Sequence, residues 1–316
     1  MTDNVFSTDN RPIFHQDWWL STASRETFSS IDIEMGGKIV SRFPFVQKNV
    51  LGSPIIRMPK YTRTLGPYLT LPPSKTFRYE QNIRHVVERT VASLPKHHGV
   101  HFFLDPDNDS AFAFRLAGYR VVQDFTFRIL PEKSLETVWQ DCDQKTRNLI
   151  RTADKKLSVQ QSGSAEAFIA LAKREQPHSH HDYPLLKALF DEAHKRDQAI
   201  ALYAYDQDDL VSAALLIWDG RTLYYWQSVR SRRSRVPGMN MLLIWKAIEY
   251  AKERNLIFDF DGFGSVRTAK MLASFGQKPV TRSEIRFGTP VYKMKRYAID
   301  LLKRYILRKY KGYDLY

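Results

Sequence analysis

Between residues 200 and 228 apolar side chains cluster and alternate with strand periodicity, and after residue 240 they recur every three or four positions. Leu210 to Trp218 and Arg221 to Ser228 are rich in β-branched, aromatic and other apolar residues. Asp219-Gly220 separates them, which predicts a hairpin closed by a type I′ turn and the end of a three-strand meander that starts near Ile200. Met241, Ile244, Trp245, Ile248 and Ala251 then fall on one helical face, with Lys246, Glu249, Lys252 and Glu253 on the other. Asn240 is the expected N-cap of this helix and Asn255 its stop. The strand that follows, from Ile257, ends in Asp259-Phe-Asp261-Gly262.

The same order of elements is legible earlier in the chain. A hairpin signal at Gly36-Gly37 and a Pro/Gly-rich passage through Leu71-Pro-Pro73 precede a helix over Phe77 to Leu94. A strand over Val100 to Leu104 then ends at Asp105-Pro, and a short helix to Ala117-Gly118 leads into a strand over Tyr119 to Ile129. In the later half the strand ending at Asp261 is followed by a short helix to Phe275-Gly276 and a strand over Ser283 to Phe287. Leu116-Ala-Gly-Tyr119 echoes Leu272-Ala-Ser-Phe275. Helical patterns over Ser134 to Lys156, Ala165 to Arg174 and Pro184 to Arg196 join the halves, with a break at Leu130-Pro-Glu-Lys133. We therefore expect an α/β (α+β) chain of two similar domains, residues 1–132 and 133–290, each a mixed sheet flanked by helices, followed by a separate segment, 291–316.

Composition narrows the class. The 316 residues suffice for a sizeable core, no stretch approaches the roughly 20 apolar residues of a membrane helix, and the polar start, Met1 to Gln16, lacks a signal core. The single cysteine, Cys142, excludes an intrachain disulfide and suits a reducing cytoplasm. A net charge of +14 favours acidic partners. Much of it lies after Tyr292, in Lys293, Lys295, Arg296, Lys303, Arg304, Arg308, Lys309 and Lys311, while Ala298, Leu301, Leu302, Tyr305 and Ile306 keep helical spacing. This predicts a basic amphipathic helix that could touch anionic membrane from the cytoplasmic side, bind RNA, or pack its apolar face on its own fold, the last being the simplest reading.

Candidate chemistry concentrates around the later helix. Arg230, Arg232, Arg233 and Arg235 precede Pro237-Gly238, and a helix start with added arginines suits a pyrophosphate. Asp259 and Asp261, two apart on a strand, would share one side and raise one another's pKa, which suits a base. His178, His180 and His181 form a histidine cluster, and a solvated loop is the better reading than a metal site, so no metal is expected.

The segment Arg235-x-x-Gly238-x-Asn240 resembles the acyl-CoA pyrophosphate loop of the GNAT acyltransferase superfamily, with Asn at the last marked position. Asp259-Phe-Asp-Gly-Phe-Gly264, Ser274-Phe-Gly-Gln-Lys-Pro279, Trp139 with Lys145-Thr-Arg-Asn-Leu-Ile-Arg151, and Tyr61-Thr-Arg-Thr-Leu-Gly-Pro-Tyr68 together resemble Fem-type peptidyltransferases and the related acyltransferases found with polysaccharide synthesis. Leu272 stands where the Fem pattern has lysine, with Lys270 nearby. The resemblance implies two tandem GNAT-like domains and an N-acyltransferase that moves an acyl group, acetyl in the simplest case, from acyl-CoA to an amino group of an amino sugar, nucleotide sugar or other cell-envelope precursor. It implies Asp261 or Asp259 as base, and Gln227, Ser228, Val229, Arg230, Arg233, Arg235, Gly238, Met239 and Asn240 around the donor. Tyr61, Arg63, Tyr68, Arg147, Arg151 and Lys270 are the acceptor candidates. A Fem-like transfer from charged tRNA and a non-catalytic basic binding module are the alternatives.

Overall fold

The computed structural model describes residues 11–25, 28–50, 52–179 and 181–309. After a 3₁₀ turn, Ile13–His15, the chain forms α1 (Asp17–Ser24), β1 (Ser29–Met35), β2 (Lys38–Phe45), β3 (Gln47–Val50), β4 (Ser53–Arg57), β5 (Tyr68–Leu69), α2 (Thr76–Ser93), β6 (Gly99–Phe103), α3 (Ala111–Leu116) and β7 (Arg120–Ile129). It continues with α4 (Leu135–Asp141), α5 (Gln144–Asp154), β8 (Ser158–Ser162), α6 (Glu166–Glu175), α7 (Tyr183–His194), β9 (Ala199–Asp206), β10 (Asp209–Trp218) and β11 (Thr222–Arg230). Last come α8 (Met239–Glu253), β12 (Ile257–Asp259), α9 (Val266–Ala273), β13 (Pro279–Gly288) and α10 (Pro290–Lys309).

These elements form two compact units that are discontinuous in sequence. The first comprises Met1–Glu26, Lys60–Arg63 and Asp124–Arg282, and the second Thr27–Pro59, Thr64–Gln123 and Ser283–Tyr316. This differs from the expected cuts after residues 132 and 290 because strands change partners. β7, which follows α3 in sequence, pairs antiparallel with β12, whereas β13, which follows α9, pairs antiparallel with β6. The segment Lys60–Arg63 also belongs to the first unit, an excursion that no periodicity announces.

In the first unit β8, β9, β10 and β11 form an antiparallel meander, and β12 joins it parallel to β11. Period-two alternation divides its strands between two cores. Leu202, Ala204, Ala214 and Leu216 pack with Ile150, Leu242, Leu243 and Ile248 of α5 and α8. Their neighbours Ala201, Tyr203, Ala213 and Leu215 pack with Phe168, Leu189 and Phe190 of α6 and α7 and with Trp19 of α1. A sheet covered on both faces explains why β10 reads as a nearly continuous apolar run.

Three local expectations change. The predicted helix over 134–156 is two helices, because Asp143 caps the second by accepting from the Lys145 amide at 3.2 Å. The β10–β11 turn is not type I′, since Gly220 is not among the positive-φ glycines. The buried Asp219 carboxylate closes it instead, accepting from the amides of Arg221 (2.9 Å) and Thr222 (2.8 Å). Asn240 is the second residue of α8, whose N-cap is Gly238; Asn255, at φ 55°, does stop the helix.

In the second unit β1, β2 and β5 form a small antiparallel sheet, and β3, β4, β6 and β13 form a mixed one. A core cluster of Ile33, Val40 and Val86 joins the small sheet to α2. Among the described residues no helix is long and apolar enough to cross a membrane.

Candidate functional site

The site grows from the end of β12. Its last residue, Asp259, is buried, with Arg128 Nε at 2.6 Å from one carboxylate oxygen and Thr126 Oγ1 donating to the other at 2.6 Å. Asp259 also accepts from the Asp261 amide at 2.8 Å, and the Gly262 amide donates to Thr126 Oγ1 at 3.1 Å. With its oxygens committed in this way, Asp259 fixes the bend after β12. That removes it from the base role and makes it a support for the next acid.

Asp261 is in the left-handed region, φ 61°, so the strand alternation ends before it and its side chain does not simply share a side with Asp259. The carboxyl is 3% exposed, with Arg63 Nε at 2.6 Å from Oδ2 and Arg282 Nη1 at 3.8 Å from Oδ1. Neither contact has hydrogen-bond geometry, so both oxygens are buried without a hydrogen-bond donor. Burial pushes its pKa up to about 7, outweighing the two arginines, and the Asp259 charge adds to the rise.

Arg63 reaches this acid because its segment is held on the back of β11. Trp19 Nε1 donates to Thr62 Oγ1 at 3.0 Å, and Trp226 Nε1 donates to the Tyr61 carbonyl at 3.1 Å. On β11 the register to β10 jumps between Gln227 and Tyr225, a bulge at Trp226, and the Trp226 carbonyl accepts from Arg63 Nη2 at 3.0 Å. One guanidinium thus links Asp261 to the bulge. Pairing of β11 with β12 ends at Tyr224, although β11 runs on to Arg230, so its later half has an edge that β12 does not cover. Gln227 to Val229 lie on that half.

Beyond this edge is a cavity of about 520 Å³ lined by Leu149, Ser228, Arg230, Val236, Pro237, Gly238, Met239, Asn240, Met241, Arg267, Thr268 and Met271. It sits at the start of α8, where the first amides have no carbonyl partner within the helix. Gly238 is needed there for packing as well as for any ligand: its φ is +82°, and a Cβ would lie 2.3 Å from the Leu149 carbonyl oxygen of α5. The Asn240 side-chain Oδ1 accepts from Ser212 Oγ at 2.8 Å, anchoring the turn to β10. Arg233 and Arg235 are exposed and do not line the cavity; Arg230 and Arg267 do.

A family model described as "Acetyltransferase (GNAT) domain" matches residues 144–265. Residues 144–265 are thus similar to a GNAT domain. A crystal structure of FemX resembles the chain with TM-score 0.65 at 13% identity, covering 88% of this chain and 93% of that one. The C-terminal domain of a putative lysylphosphatidylglycerol synthetase from Agrobacterium fabrum follows at TM-score 0.53 and 12% identity, covering 93% and 94%. A tandem GNAT protein from the clavulanic acid biosynthesis pathway gives TM-score 0.50 at 11% identity, covering 83% of each. The fold is therefore the mixed α/β fold of FemX and tandem GNAT proteins. No curated protein matches the sequence.

The remaining candidates separate around this site. Tyr61 and Arg63 are at it, Tyr61 at φ 65° with its ring stacked on His181 at 6.3 Å. Arg147 is committed elsewhere: its Nη1 donates to the carbonyls of Gln140 (2.8 Å) and Cys142 (2.6 Å), tying α4 to α5. Arg151 is exposed with its guanidinium 5.1 Å from the Trp139 ring, and Lys270 is exposed on α9. Tyr68 belongs to the second unit, on β5 opposite Arg42. Cys142 is buried, its thiol pushed up to about 11 by burial. No metal-binding group occurs among the described residues. Arg128 and Thr126 on β7 and Arg282 on β13 carry no local signal in the sequence that ties them to the β12 end, nor does any pattern bring Arg267 and Thr268 of α9 to the cavity at the α8 start.

Proposed function

We propose that this GNAT domain transfers an acyl group from acyl-CoA to an amine, with Asp261 as the base. The observation that carries the reading is the Asp261 carboxyl, which is buried beside Arg63 (2.6 Å) and Arg282 (3.8 Å) and has its pKa pushed up to about 7 by burial. A base poised near neutrality is half ionised at working pH and still accepts a proton readily. Arg63 and Arg282 keep the ionised form accessible in spite of burial. The cavity at the α8 start takes the donor's phosphates, through Arg230, Arg267, the Thr268 hydroxyl and the first amides of the helix.

When bound, acyl-CoA supplies the activated carbonyl. Asp261 removes the proton of the attacking amine, directly or through one water; as the amide C–N bond forms the thioester C–S bond breaks, and the CoA thiolate leaves, taking a proton from the Asp261 carboxyl or from solvent. The uncovered edge of β11 near Gln227 to Val229 offers amides to the oxygen on which charge develops. Arg63, 34% exposed, has one side toward Asp261 and the bulge and another toward solvent, which suits a group that positions an acceptor. An amino sugar or a related envelope precursor is the acceptor class we favour.

The test is thermal stabilisation by acetyl-CoA together with thiol release in the presence of amines such as glucosamine. The reading predicts saturable stabilisation that is lost in Arg230→Ala/Arg267→Ala. Transfer from charged tRNA is the second reading, favoured by the net charge of +14. Salt-sensitive tRNA binding without any acetyl-CoA binding would replace the first reading by the second.

A further inference from the structure

Helix α10 has two apolar faces, whereas a helix that only packs back on its fold needs one. Tyr292, Lys295 and Ile299, at i, i+3 and i+7, are the half-buried positions. The Tyr292 ring fills the space where a Cβ on Gly99 would lie, and Lys295 Nζ donates to Ser53 Oγ at 3.1 Å. This stripe fastens the helix to its own unit. Val291, Met294, Tyr297, Leu301 and Leu302 are exposed, each between 47% and 67%. At about 100° per residue they span an arc of roughly 140°, which does not contain the fastened stripe. The expected burial of Leu301 and Leu302 against the fold therefore does not occur.

Five large apolar side chains in one solvated stripe call for a partner. The charges beside them say which kind. Lys293, exposed, borders the arc, and Arg296, also exposed, lies beyond it. Over Pro290–Lys309 the sequence holds seven Lys and Arg against one acid, Asp300. We propose that this second face docks on an anionic lipid bilayer, with α10 lying flat at headgroup depth, its apolar arc in the acyl boundary and its cations at the phosphates. An apolar arc edged by cations matches a surface that is apolar below and anionic above. RNA would be served by the charges alone and would leave the arc wet. The inference does not depend on the acyl-transfer reading.

Flotation of the full chain with phosphatidylcholine vesicles, with and without phosphatidylglycerol, tests it. The expected result is binding to the anionic vesicles only, weakened by salt. Met294→Ser/Tyr297→Ser/Leu301→Ser/Leu302→Ser should lower partitioning at least tenfold, and Lys293→Glu/Arg296→Glu about tenfold. Melting temperature checks that each variant folds; should the four-serine protein melt early, the charge-reversal pair decides. Absence of binding to phosphatidylglycerol vesicles overturns the proposal, as does unchanged flotation of the folded variants. So does a concentration-dependent dimer that the serine changes dissolve while no vesicle binding is seen.

Discussion

Each unit has a strand that ends in aspartate and runs on to a short helix and a further strand, yet the two acids have different surroundings. In the second unit Asp105 follows β6 half-buried, its Oδ1 accepting from the Asp107 amide at 3.0 Å in a local turn. In the first, Asp261 follows β12 with 3% of its side chain exposed, faced by Arg63 and Arg282, and with its pKa raised to about 7. A strand-end acid is thus a turn former by default. Burial instead raises its pKa, and burial is bearable here because cations from Lys60–Arg63 and from the start of β13 stand beside it.

The largest effect that tests this contrast is on rate. Asp261→Asn should lower acetyl-CoA turnover with an amine acceptor by about 10²-fold or more, whereas Asp105→Asn should leave it unchanged. Equal losses in both variants would erase the distinction. Next is stability. Arg128→Met strands the Asp259 carboxylate without its buried partner, which should cost about 3–5 kcal/mol in denaturant unfolding, while Asp105→Asn stays within about 1 kcal/mol. A smaller difference is expected at the glycines that close the two short helices. Gly276, at φ +74°, has the Asp141 carbonyl oxygen 2.0 Å from where a Cβ would lie, and Gly118, at φ +86°, has open space. Gly118→Ala should cost about 1 kcal/mol from backbone strain, and Gly276→Ala about 3 kcal/mol or more.

A further effect is on pH dependence. The folded carboxyl titrates above its ordinary value of 3.8, so the stability it contributes is present in acid and is lost as pH rises through about 7. Asp261→Asn cannot ionise, and so should gain stability relative to the parent between pH 4 and pH 8, read from melting temperatures across that range. Arg282→Gln removes a lowering influence and should move the rate inflection upward.

Much of this contrast was legible in the sequence, and the part that was not has a physical reason. The repeated order of strand, short helix and strand, the α8 helix and the Asp259-Phe-Asp261 end all follow from period and turn chemistry. The cavity at the α8 start was half legible: Arg230 and Gly238 to Asn240 are there, but Arg233 and Arg235 are exposed because only part of an arginine-rich loop can face one cavity. Arg147 looked like a substrate cation because helical spacing cannot see the carbonyls behind a helix start. Arg282 and Arg128 were invisible for the opposite reason. Each meets its aspartate through strand pairing across many residues, and nothing local marks a cation on a strand as an acid's neighbour. The apolar arc of α10 was visible as a period, but which face the fold would leave open was not.

The central claim is that Asp261 is a neutral-range acid in the folded protein, and its titration can be read without a donor or acceptor. Carboxyl ¹³C shifts of labelled aspartates, followed from pH 4 to 9 in the parent and in Asp261→Asn, isolate that one group. The account predicts a carboxyl signal with an inflection near 7 that is missing from the variant. A parent in which every aspartate is already ionised at pH 5 would contradict it.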